Sequence, residues 1–309
     1  MAILTPTIWS RMFTVACKHR IPYVPPTNSS ITEVMDNPQA IVHQPTVITA
    51  GREVIDAFAP EADTSKLSSS YIVIGNEGHK TITGFRNVGI PAPVEHASTD
   101  AGLYWMIPFI IRPITSALSP TQRANYRLRK VHQIDGDFYE AYYAKKKPLL
   151  TQNIDLIVYQ LINQNIVGQT PFIPTPQNLV PVQPVGDITN EQTHVAVNLP
   201  TPVTFSAQDI TEIINACEIL YGDSTVAFLS EIGICFGMDK PVLQQFPITG
   251  PQVPQNVPPN TYYECALLTV DTFICDPKSI SESTTEVGIS LTSGGSTPLY
   301  PTAQQSGTN

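Results

Sequence analysis

Proline is the residue that most restricts what this chain can fold into. It supplies 29 of the 309 residues, about twice its usual share of ~5%. Proline has no amide hydrogen and its ring clashes inside a helix, so a mostly helical protein or a coiled coil is excluded. Hydrophobic residues make up 42% of the chain, which is enough for a folded core. We therefore expect strands, loops and extended arms.

Apolar runs of strand length recur along the chain. Each is rich in β-branched or aromatic residues, which is typical of strands. The clearest runs are Tyr71–Ile74, Leu103–Ile111, Ile154–Ile162, Thr225–Phe236 and Tyr262–Cys275. The predicted fold class is mainly β, with a β-sandwich-like core, one amphipathic helix packed on a sheet, long proline-rich loops and extended arms.

Composition divides the chain into three predicted regions. Residues 1–120 form an irregular, extended N-terminal region with short strands, for example Ile41–Val42 and Val47–Ile48. Residues 121–275 form a β-rich domain with the helix 207–221. Residues 276–309 form a Ser/Thr/Pro-rich tail in which only Val287–Leu291 has strand character and 292–309 is flexible. Two proline-rich loops are expected inside the β-rich domain, at 170–186 and 247–260.

The sequence predicts one helix with defined ends, at residues 207–221. Ser206 is a suitable N-cap, and Asp209 three residues later completes a capping box. The apolar residues that follow have the spacing of one helix face, and they are Ile210, Ile213, Ile214, Cys217, Leu220 and Tyr221. Gly222 ends the helix as a left-handed residue. Because only one face is apolar, we expect the helix to pack on a sheet, with Cys217 in the core rather than acting as a nucleophile.

The strongest hairpin signal is Asp135-Gly136, because these residues readily adopt the two positive φ angles of a type I′ turn. Strands at Tyr126–Ile134 and Asp137–Ala144 then pair so that opposite residue numbers sum to 271. This register also places Leu128 opposite Tyr143.

The same register places Arg129 opposite Tyr142. There the guanidinium can make a cation–π contact with the ring.

The hairpin also collects positive charge. Seven of the 17 basic residues lie in or beside it, and they are Arg123, Arg127, Arg129, Lys130, Lys145, Lys146 and Lys147. Such a patch can bind the acidic surface of a neighbouring copy, can be a solvated strand face, or can contact nucleic-acid phosphates. We rank the neighbouring copy first and nucleic acid last, since the chain has a net charge of −9.

The charge is distributed unevenly along the chain. Residues 1–150 have a net charge of +3 and residues 151–309 a net charge of −12. Opposite charges on different parts of one surface favour head-to-tail contacts that close into rings. Uneven surface charge without any partner is the alternative. The seven basic residues of the hairpin are the predicted interface residues.

No catalytic, cofactor or metal motif is recognisable. The five cysteines have no CxxC spacing and their number is odd, so we expect free, mostly buried thiols in a reducing compartment. The six histidines never lie three or four residues apart. Glu231 interrupts an apolar strand, and we interpret it as an edge or partnered carboxylate rather than an acid catalyst. The sequence predicts no enzyme activity, no cofactor and no metal.

The sequence also predicts no membrane partner. The N-terminus lacks a basic region, and Pro6 and Arg11 interrupt its apolar run, so no signal peptide is expected. The most apolar stretch, Leu103–Ile111, is far shorter than the ~20 residues of a transmembrane helix.

Two segments of the chain resemble structural proteins of large tailed bacteriophages. One is the hairpin YRLRKVHQIDGDFYEAYYAKK, and the other is FSAQDITEIINACEILYGDSTVAFLSEIGICFGMDK, with PFIPTPQNLVP between them. Together they cover about residues 120–240. The resemblance implies a virion component of the head, neck or tail that is assembled in the host bacterial cytoplasm, and it supplies no catalytic residues.

Three hypotheses about function follow. The first is a non-enzymatic structural subunit of a tailed-phage virion, an oligomeric ring component of the neck, collar or tail, whose partners are copies of itself and other virion proteins. The second is a capsid decoration or fibre-attachment protein. The third is a carbohydrate-binding or hydrolytic β-sandwich, which rests on scattered acidic residues and on the aromatic residues Tyr104, Trp105, Tyr139, Tyr142 and Tyr143.

Overall fold

The computed structural model describes the chain at residues 3–19, 68–84, 88–147, 154–162, 165–173, 175–176, 191–244, 260–281, 283–284 and 286–298. Over these residues the protein is mainly β, as the sequence predicts. The predicted strands Ile41–Val42 and Val47–Ile48 lie outside the described residues. So do most of the two predicted proline-rich loops.

The described part of the chain contains many strands and few α-helices. The strands are β1 Ile3–Pro6, β2 Ser68–Gly75, β3 His79–Thr83, β4 Gly89–Pro93, β5 Met106–Ile107, β6 Ile110–Pro113, β7 Tyr126–Ile134, β8 Asp137–Lys146, β9 Asp155–Ile162, β10 Asn165–Pro171, β11 Glu191–Ser206, β12 Phe228–Gln244, β13 Asn260–Ser279 and β14 Glu286–Pro298. The α-helices are α1 Ile8–His19, α2 Pro120–Arg123 and α3 Ala207–Tyr221.

The chain divides into two compact units. Unit 1 comprises Met1–Pro148 and Phe205–Glu286, and unit 2 comprises Leu149–Thr204 and Val287–Asn309. An eight-stranded sheet lies in unit 1, with the order β1-β13-β12-β2-β8-β6, β5 paired to β2 and β7 paired to β8. Strands β3 and β4 pair separately, and a four-stranded sheet has the order β10-β9-β11-β14.

These units differ from the three regions that the sequence predicts. Strands β1 and β2 lie in the predicted N-terminal region 1–120, and β2 contains the predicted strand Tyr71–Ile74. They pair with β13 and β12 in the same sheet. The predicted boundary at residue 120 therefore falls inside unit 1. Composition did not reveal this arrangement, because the pairings join segments that are far apart in the chain.

The predicted C-terminal tail contains a strand that includes Val287–Leu291, where the sequence indicates strand character. Strand β13 continues to Ser279, and Glu286–Pro298 forms β14. Residues 299–309 lie outside the described part of the chain.

The N-terminal helix α1 was not predicted. Thr7 caps its N-terminus, because the Thr7 hydroxyl accepts a hydrogen bond from the Ser10 amide at 3.2 Å. A threonine at this position is a capping signal that the sequence already contains. The same hydroxyl donates to the Val270 carbonyl at 2.6 Å. Thr7 therefore both starts the helix and attaches it to β13, directly after the short edge strand β1.

The β7–β8 hairpin has the predicted register. Arg129 pairs with Tyr142 and His132 with Tyr139. The turn residues Asp135 and Gly136 have φ angles of 51° and 90°, as a type I′ turn requires.

One predicted pair of this hairpin differs in the structure. The ladder passes over Leu128, whose φ of 52° takes it out of the extended conformation. The predicted Leu128–Tyr143 pair is therefore missing from the ladder.

Helix α3 has the predicted ends and the predicted buried face. Ser206 and Asp209 form the capping box, and Gly222 has a φ of 69°. The buried side chains are Ile210, Ile213, Ile214, Ala216 and Cys217. The helix lies against β6 of the sheet, and Ala216 joins the core with Val73 and Phe273.

Strands β12 and β13 continue together beyond the other strands of the sheet that the structure describes. Among the described residues, the pairing of β2 with β12 ends at Gly237, and β1 pairs with β13 only at 272–275. The β12–β13 ladder nevertheless continues to Gln244 and Asn260. We call residues 238–244 and 260–268 the overhanging ribbon, and its seven β12 residues span about 23 Å at ~3.3 Å per residue.

Two of the sequence-based expectations concern free thiols and membranes. Cys217, Cys235 and Cys275 are free and buried, as expected. In the described part of the chain, no helix is long and apolar enough to cross a membrane.

Candidate functional site

The seven basic residues predicted as an interface do not form one exposed patch. Four are buried, with at most 6% of each residue exposed, and they are Arg123, Arg127, Arg129 and Lys147. The other three, Lys130, Lys145 and Lys146, are half-buried. The hairpin therefore presents far less charge than its sequence suggests.

The buried arginines are held by groups of the same chain. Arg129 Nε donates to Glu140 Oε2 at 2.8 Å, and both residues are buried. Arg127 Nη1 donates to the carbonyl oxygens of Ala124 at 2.8 Å and of Tyr126 at 2.7 Å. Internal partners of this kind compensate the cost of burying a charge.

Two further cations attach helix α3 to the sheet. Lys145 Nζ lies 2.6 Å from Asp209 Oδ1, and Arg112 Nη1 lies 2.7 Å from Glu212 Oε2. Lys145 is therefore engaged within its own chain. The interface prediction stays a prediction, and Lys130 is the hairpin cation best placed to test it, because no described carboxylate pairs with it.

A cluster of three ionisable side chains is buried beside the sheet. His96 Nδ1 lies 2.9 Å from Asp100 Oδ2, and His96 Nε2 lies 2.9 Å from Glu231 Oε2. The side chains of His96 and Glu231 are fully buried, whereas that of Asp100 is 32% exposed. We call these residues the Asp100–His96–Glu231 cluster.

The Glu231 carboxylate also holds the backbone of a neighbouring loop. The Tyr104 amide donates to Oε2 and the Trp105 amide donates to Oε1, each at 3.1 Å. Together with His96, these amides satisfy a carboxylate that lies in the middle of an apolar strand. Glu231 is thus the partnered carboxylate that the sequence suggested.

The His96 ring is stacked between two aromatic rings. Its centroid lies 4.2 Å from that of Tyr104, with planes inclined by 14°, and 3.9 Å from that of Phe273, with planes inclined by 11°. Aromatic faces carry negative charge density, so this position favours the protonated imidazolium.

The electrostatics of the cluster also favour a charged His96. Burial by itself lowers the pKa of His96, but hydrogen bonds to Cys275, Glu231 and Asp100 outweigh this effect and raise the pKa to about 10. An imidazolium donates from both ring nitrogens, which matches a carboxylate at each nitrogen. The charged ring and the two amide donors together compensate the buried Glu231 charge.

Glycines make room for this cluster. Glu231 lies opposite Gly75 of β2. A Cβ atom at Gly75 would lie only 2.5 Å from the Trp105 carbonyl oxygen, and one at Gly78 would lie 2.5 Å from Glu231 Cβ. The Gly-Asn-Glu-Gly segment after β2 is therefore a site of close approach between the loop and β12.

Sequence reasoning found one member of the cluster and missed two. Glu231 stands out because it interrupts an apolar strand. His96 and Asp100 lie four residues apart in a polar loop, and this spacing was their only local signal. Nothing in the sequence joins them to Glu231, which is 135 residues away from His96.

The geometry fits a rigid link better than a catalytic dyad. Each nitrogen of His96 faces a carboxylate, so neither is available to accept a proton from a nucleophile. The nearby Cys275 is 1% exposed, which keeps its thiol away from any substrate. In the described residues, no group of three or more His, Cys, Asp and Glu side chains could hold a metal ion.

Together, the fold and this cluster define a mainly β protein with an internal ionic link between a loop and its principal sheet. The chain belongs to a family of unknown function, DUF7208, whose model matches residues 51–308. No curated protein matches the chain, and no solved structure matches it.

Proposed function

We propose that this protein is a non-enzymatic structural subunit that assembles with copies of itself in a tailed-phage virion, as a ring component of the neck, collar or tail. The overhanging ribbon is the observation that carries the proposal. It consists of two strands whose pairing continues from Gly237↔Leu268 to Gln244↔Asn260. In the described residues no third strand pairs with it.

A two-stranded ribbon of this length needs a further contact to be stable. Isolated two-stranded sheets are marginally stable in water at best. Among the described residues, each outer edge of the ribbon also offers backbone donors and acceptors that another strand can pair with. A neighbouring copy that pairs with the ribbon supplies backbone hydrogen bonds that no other described strand supplies.

Two sequence features support assembly. The net charges of +3 for residues 1–150 and −12 for residues 151–309 favour contact between unlike surfaces of neighbouring copies. The two segments that resemble tailed-phage structural proteins support a virion as the assembly to which the protein belongs. The closed geometry of the Asp100–His96–Glu231 cluster is consistent with a role that does not involve catalysis.

Removal of the ribbon tests the proposal. A variant in which residues 239–266 are replaced by Asn-Gly joins Met238 to Leu267, which face each other in the ladder, through a two-residue turn. We expect this variant to remain folded, with a cooperative urea transition, and to be monomeric in sedimentation velocity, while the full chain oligomerises. A control variant replaces Asp135 by Gly and Gly136 by Asn, which preserves a two-residue hairpin turn elsewhere in the chain.

Particle incorporation gives a second measurement. Mass spectrometry of purified virions should detect the full chain and should not detect the ribbon variant. A full chain that stays monomeric at high concentration and is absent from particles would refute the proposal. Labelled particles in negative stain would distinguish a ring at the neck or tail from a decoration spread over the capsid.

A further inference from the structure

The outer part of the β3–β4 hairpin is exposed on both of its strands. Residues 80–83 and 88–91 are all exposed, and successive residues of a strand point to opposite faces, so neither face of this part is covered. Three of these residues are large and apolar: Ile82, Val88 and Ile90 are 44%, 60% and 46% exposed. A two-stranded ribbon in this situation is marginally stable by itself, and a further strand would stabilise it.

The hydrogen bonds of the β3–β4 hairpin show which backbone groups face outwards. The Gly84 amide donates to the Val88 carbonyl at 2.8 Å, and the Val94 amide donates to the Gly78 carbonyl at 3.0 Å. Hydrogen-bonded and non-hydrogen-bonded pairs alternate along an antiparallel ladder. The even-numbered residues of β3 therefore bond to β4, and the backbone groups of its odd-numbered residues face the outer edge.

The two outer edges of this hairpin differ. On β4, Pro91 and Pro93 lie opposite odd-numbered residues of β3, so their nitrogens face the outer edge and supply no donor there. On β3 the outward-facing residues are His79, Thr81 and Thr83, which all have an amide hydrogen. Among the described strands, only β4 pairs with β3. The β3 edge is therefore open to a further strand, and the β4 edge is closed.

The overhanging ribbon has the same asymmetry. Pro241 of β12 lies opposite Tyr263 of β13. A proline in a ladder has its nitrogen towards an outer edge, so the two residues form a non-hydrogen-bonded pair and the backbone groups of Tyr263 face outwards. The ladder is regular over residues 260–265 and shifts beyond them. Alternation then makes Thr261, Tyr263 and Cys265 the outward-facing residues of β13, and this edge contains no proline.

We propose that the β3 edge of one copy pairs, in antiparallel orientation, with the β13 edge of the overhanging ribbon of a second copy, so that opposite residue numbers sum to 344. This inference rests on the proposed assembly and names one contact within it. The sum follows from the geometry, because it sets the three outward-facing residues of β3 opposite the three of β13. The hydrogen-bonded pairs are then Thr83–Thr261, Thr81–Tyr263 and His79–Cys265.

The same register brings together the charges of the two edges. Apart from His79, the one charged residue of β3 is Lys80, which is exposed, and the one charged residue of 260–268 is Glu264. They lie opposite each other in a non-hydrogen-bonded pair of the proposed ladder, where side chains are closest. Opposite charges in such a pair stabilise a sheet. Lys240 faces Glu264 from β12, so the carboxylate lies in a row between two cations.

A second β3 edge fits less well as the occupant of this edge. Two β3 edges contain no carboxylate to face Lys80, and their pairing leaves the overhanging ribbons of both copies without a third strand. Pairing with the ribbon instead uses both open edges in one contact. Each copy then offers one edge and receives the other, and a heterologous contact of this type can close into a ring.

Disulfide crosslinking tests the register directly. The proposed ladder makes Ile82 and Tyr262 a non-hydrogen-bonded pair, whose Cα atoms lie about 4.5 Å apart, within the range of a disulfide. Chains with Ile82→Cys, mixed 1:1 with chains of Tyr262→Cys that carry a tag and then oxidised, should therefore give a covalent heterodimer. Tyr263→Cys is the matched control one residue along and should crosslink about tenfold less. Ile82→Cys mixed with the wild type reports any reaction of the native thiols.

Charge reversal tests the contact without a crosslink. Lys80→Glu places two carboxylates opposite each other and should weaken self-association in sedimentation velocity about tenfold. A chain that reverses the whole row, with Lys80→Glu, Lys240→Glu and Glu264→Lys, keeps unlike charges opposite each other and should recover wild-type association. Arg11→Glu changes an exposed cation elsewhere and should associate like the wild type. Urea denaturation should show that each variant remains folded.

The outcomes separate this contact from the assembly as a whole. A wild type that associates, while Lys80→Glu associates equally well and no Ile82–Tyr262 crosslink forms, would overturn the contact and leave the assembly standing. Lost association in Lys80→Glu without recovery in the triple reversal would also overturn the contact. So would a homodimer of Ile82→Cys chains, which indicates pairing between two β3 edges. A wild-type chain that never associates would overturn the contact and the assembly together.

Discussion

Replacing Glu231 by Gln should strongly lower the free energy of unfolding, although the two side chains have nearly the same shape. The carboxylate accepts hydrogen bonds at both oxygens, from the Tyr104 and Trp105 amides and from His96 Nε2. The amide group of Gln has one oxygen and one NH₂, so whichever way it is oriented one donor faces another donor. The substitution also removes the charge opposite the His96 imidazolium.

The expected magnitude follows from burial. Glu231 is fully buried, and removing one partner of a buried ion pair costs about 3–5 kcal/mol. Most domains have a total stability of about 5–15 kcal/mol, so the variant should unfold at a clearly lower urea concentration with an unchanged slope. Glu77→Gln, at an exposed position, is the matched control and should change the free energy of unfolding by less than about 0.5 kcal/mol.

The same pair of proteins gives a pH test. The pKa of His96 is raised to about 10 in the folded state, against about 6.5 in an unfolded chain. The stabilisation by His96 is therefore complete below pH 6.5 and is lost as the pH rises towards 10. Between pH 7 and 9 it falls by up to about 1.4 kcal/mol per pH unit.

The difference in the free energy of unfolding between the wild type and Glu231→Gln should therefore shrink over this pH range. Contributions that the two proteins share cancel in this difference. Two results would refute the reasoning about the cluster. One is a free energy of unfolding for Glu231→Gln that lies within about 1 kcal/mol of the wild-type value at pH 7. The other is a difference between the two proteins that does not change between pH 7 and 9.

Three further substitutions test other parts of the fold by urea denaturation. Gly75→Ala should cost more than about 2 kcal/mol, because its Cβ would lie 2.5 Å from the Trp105 carbonyl; an unchanged midpoint would contradict the close approach. Gly136→Ala should cost about 1 kcal/mol, because Gly136 has a φ of 90°, although no atom lies within 4 Å of a Cβ at this position. Gly288→Ala is the control and should be neutral, because a Cβ there also has open space and the φ of Gly288 is not positive. Ser206→Ala should cost about 1 kcal/mol through loss of the helix cap, and a loss below about 0.3 kcal/mol would exclude a contribution of that cap.

Elements whose structure depends on adjacent residues could be predicted closely. The two-residue turn at Asp135-Gly136 fixes the register of the hairpin, since a turn of that length leaves one alignment of the strands. Helix α3 begins at its capping box and ends at Gly222 for the same local reasons. Helix α1 escaped prediction although Thr7 caps it, because the surrounding prolines suggested an irregular segment.

The fate of the basic residues could not be predicted from the hairpin alone. Their alternation with aromatic residues resembles an exposed patch, yet Arg129 lies buried against Glu140 and Lys145 pairs with Asp209 of helix α3. Exposure depends on what packs over a strand, and Asp209 is 64 residues further along the chain. Local sequence does not contain that information.

The sequence by itself determined the β-rich class, the hairpin register and the ends of helix α3, because turns, caps and side-chain periodicity act within a few residues. Only the tertiary structure decided which charges are buried, that β1 and β2 join β13 and β12, and that Asp100, His96 and Glu231 meet. Those features depend on antiparallel pairing between distant strands, where many weak contacts are chosen together. No short stretch of sequence specifies such a choice.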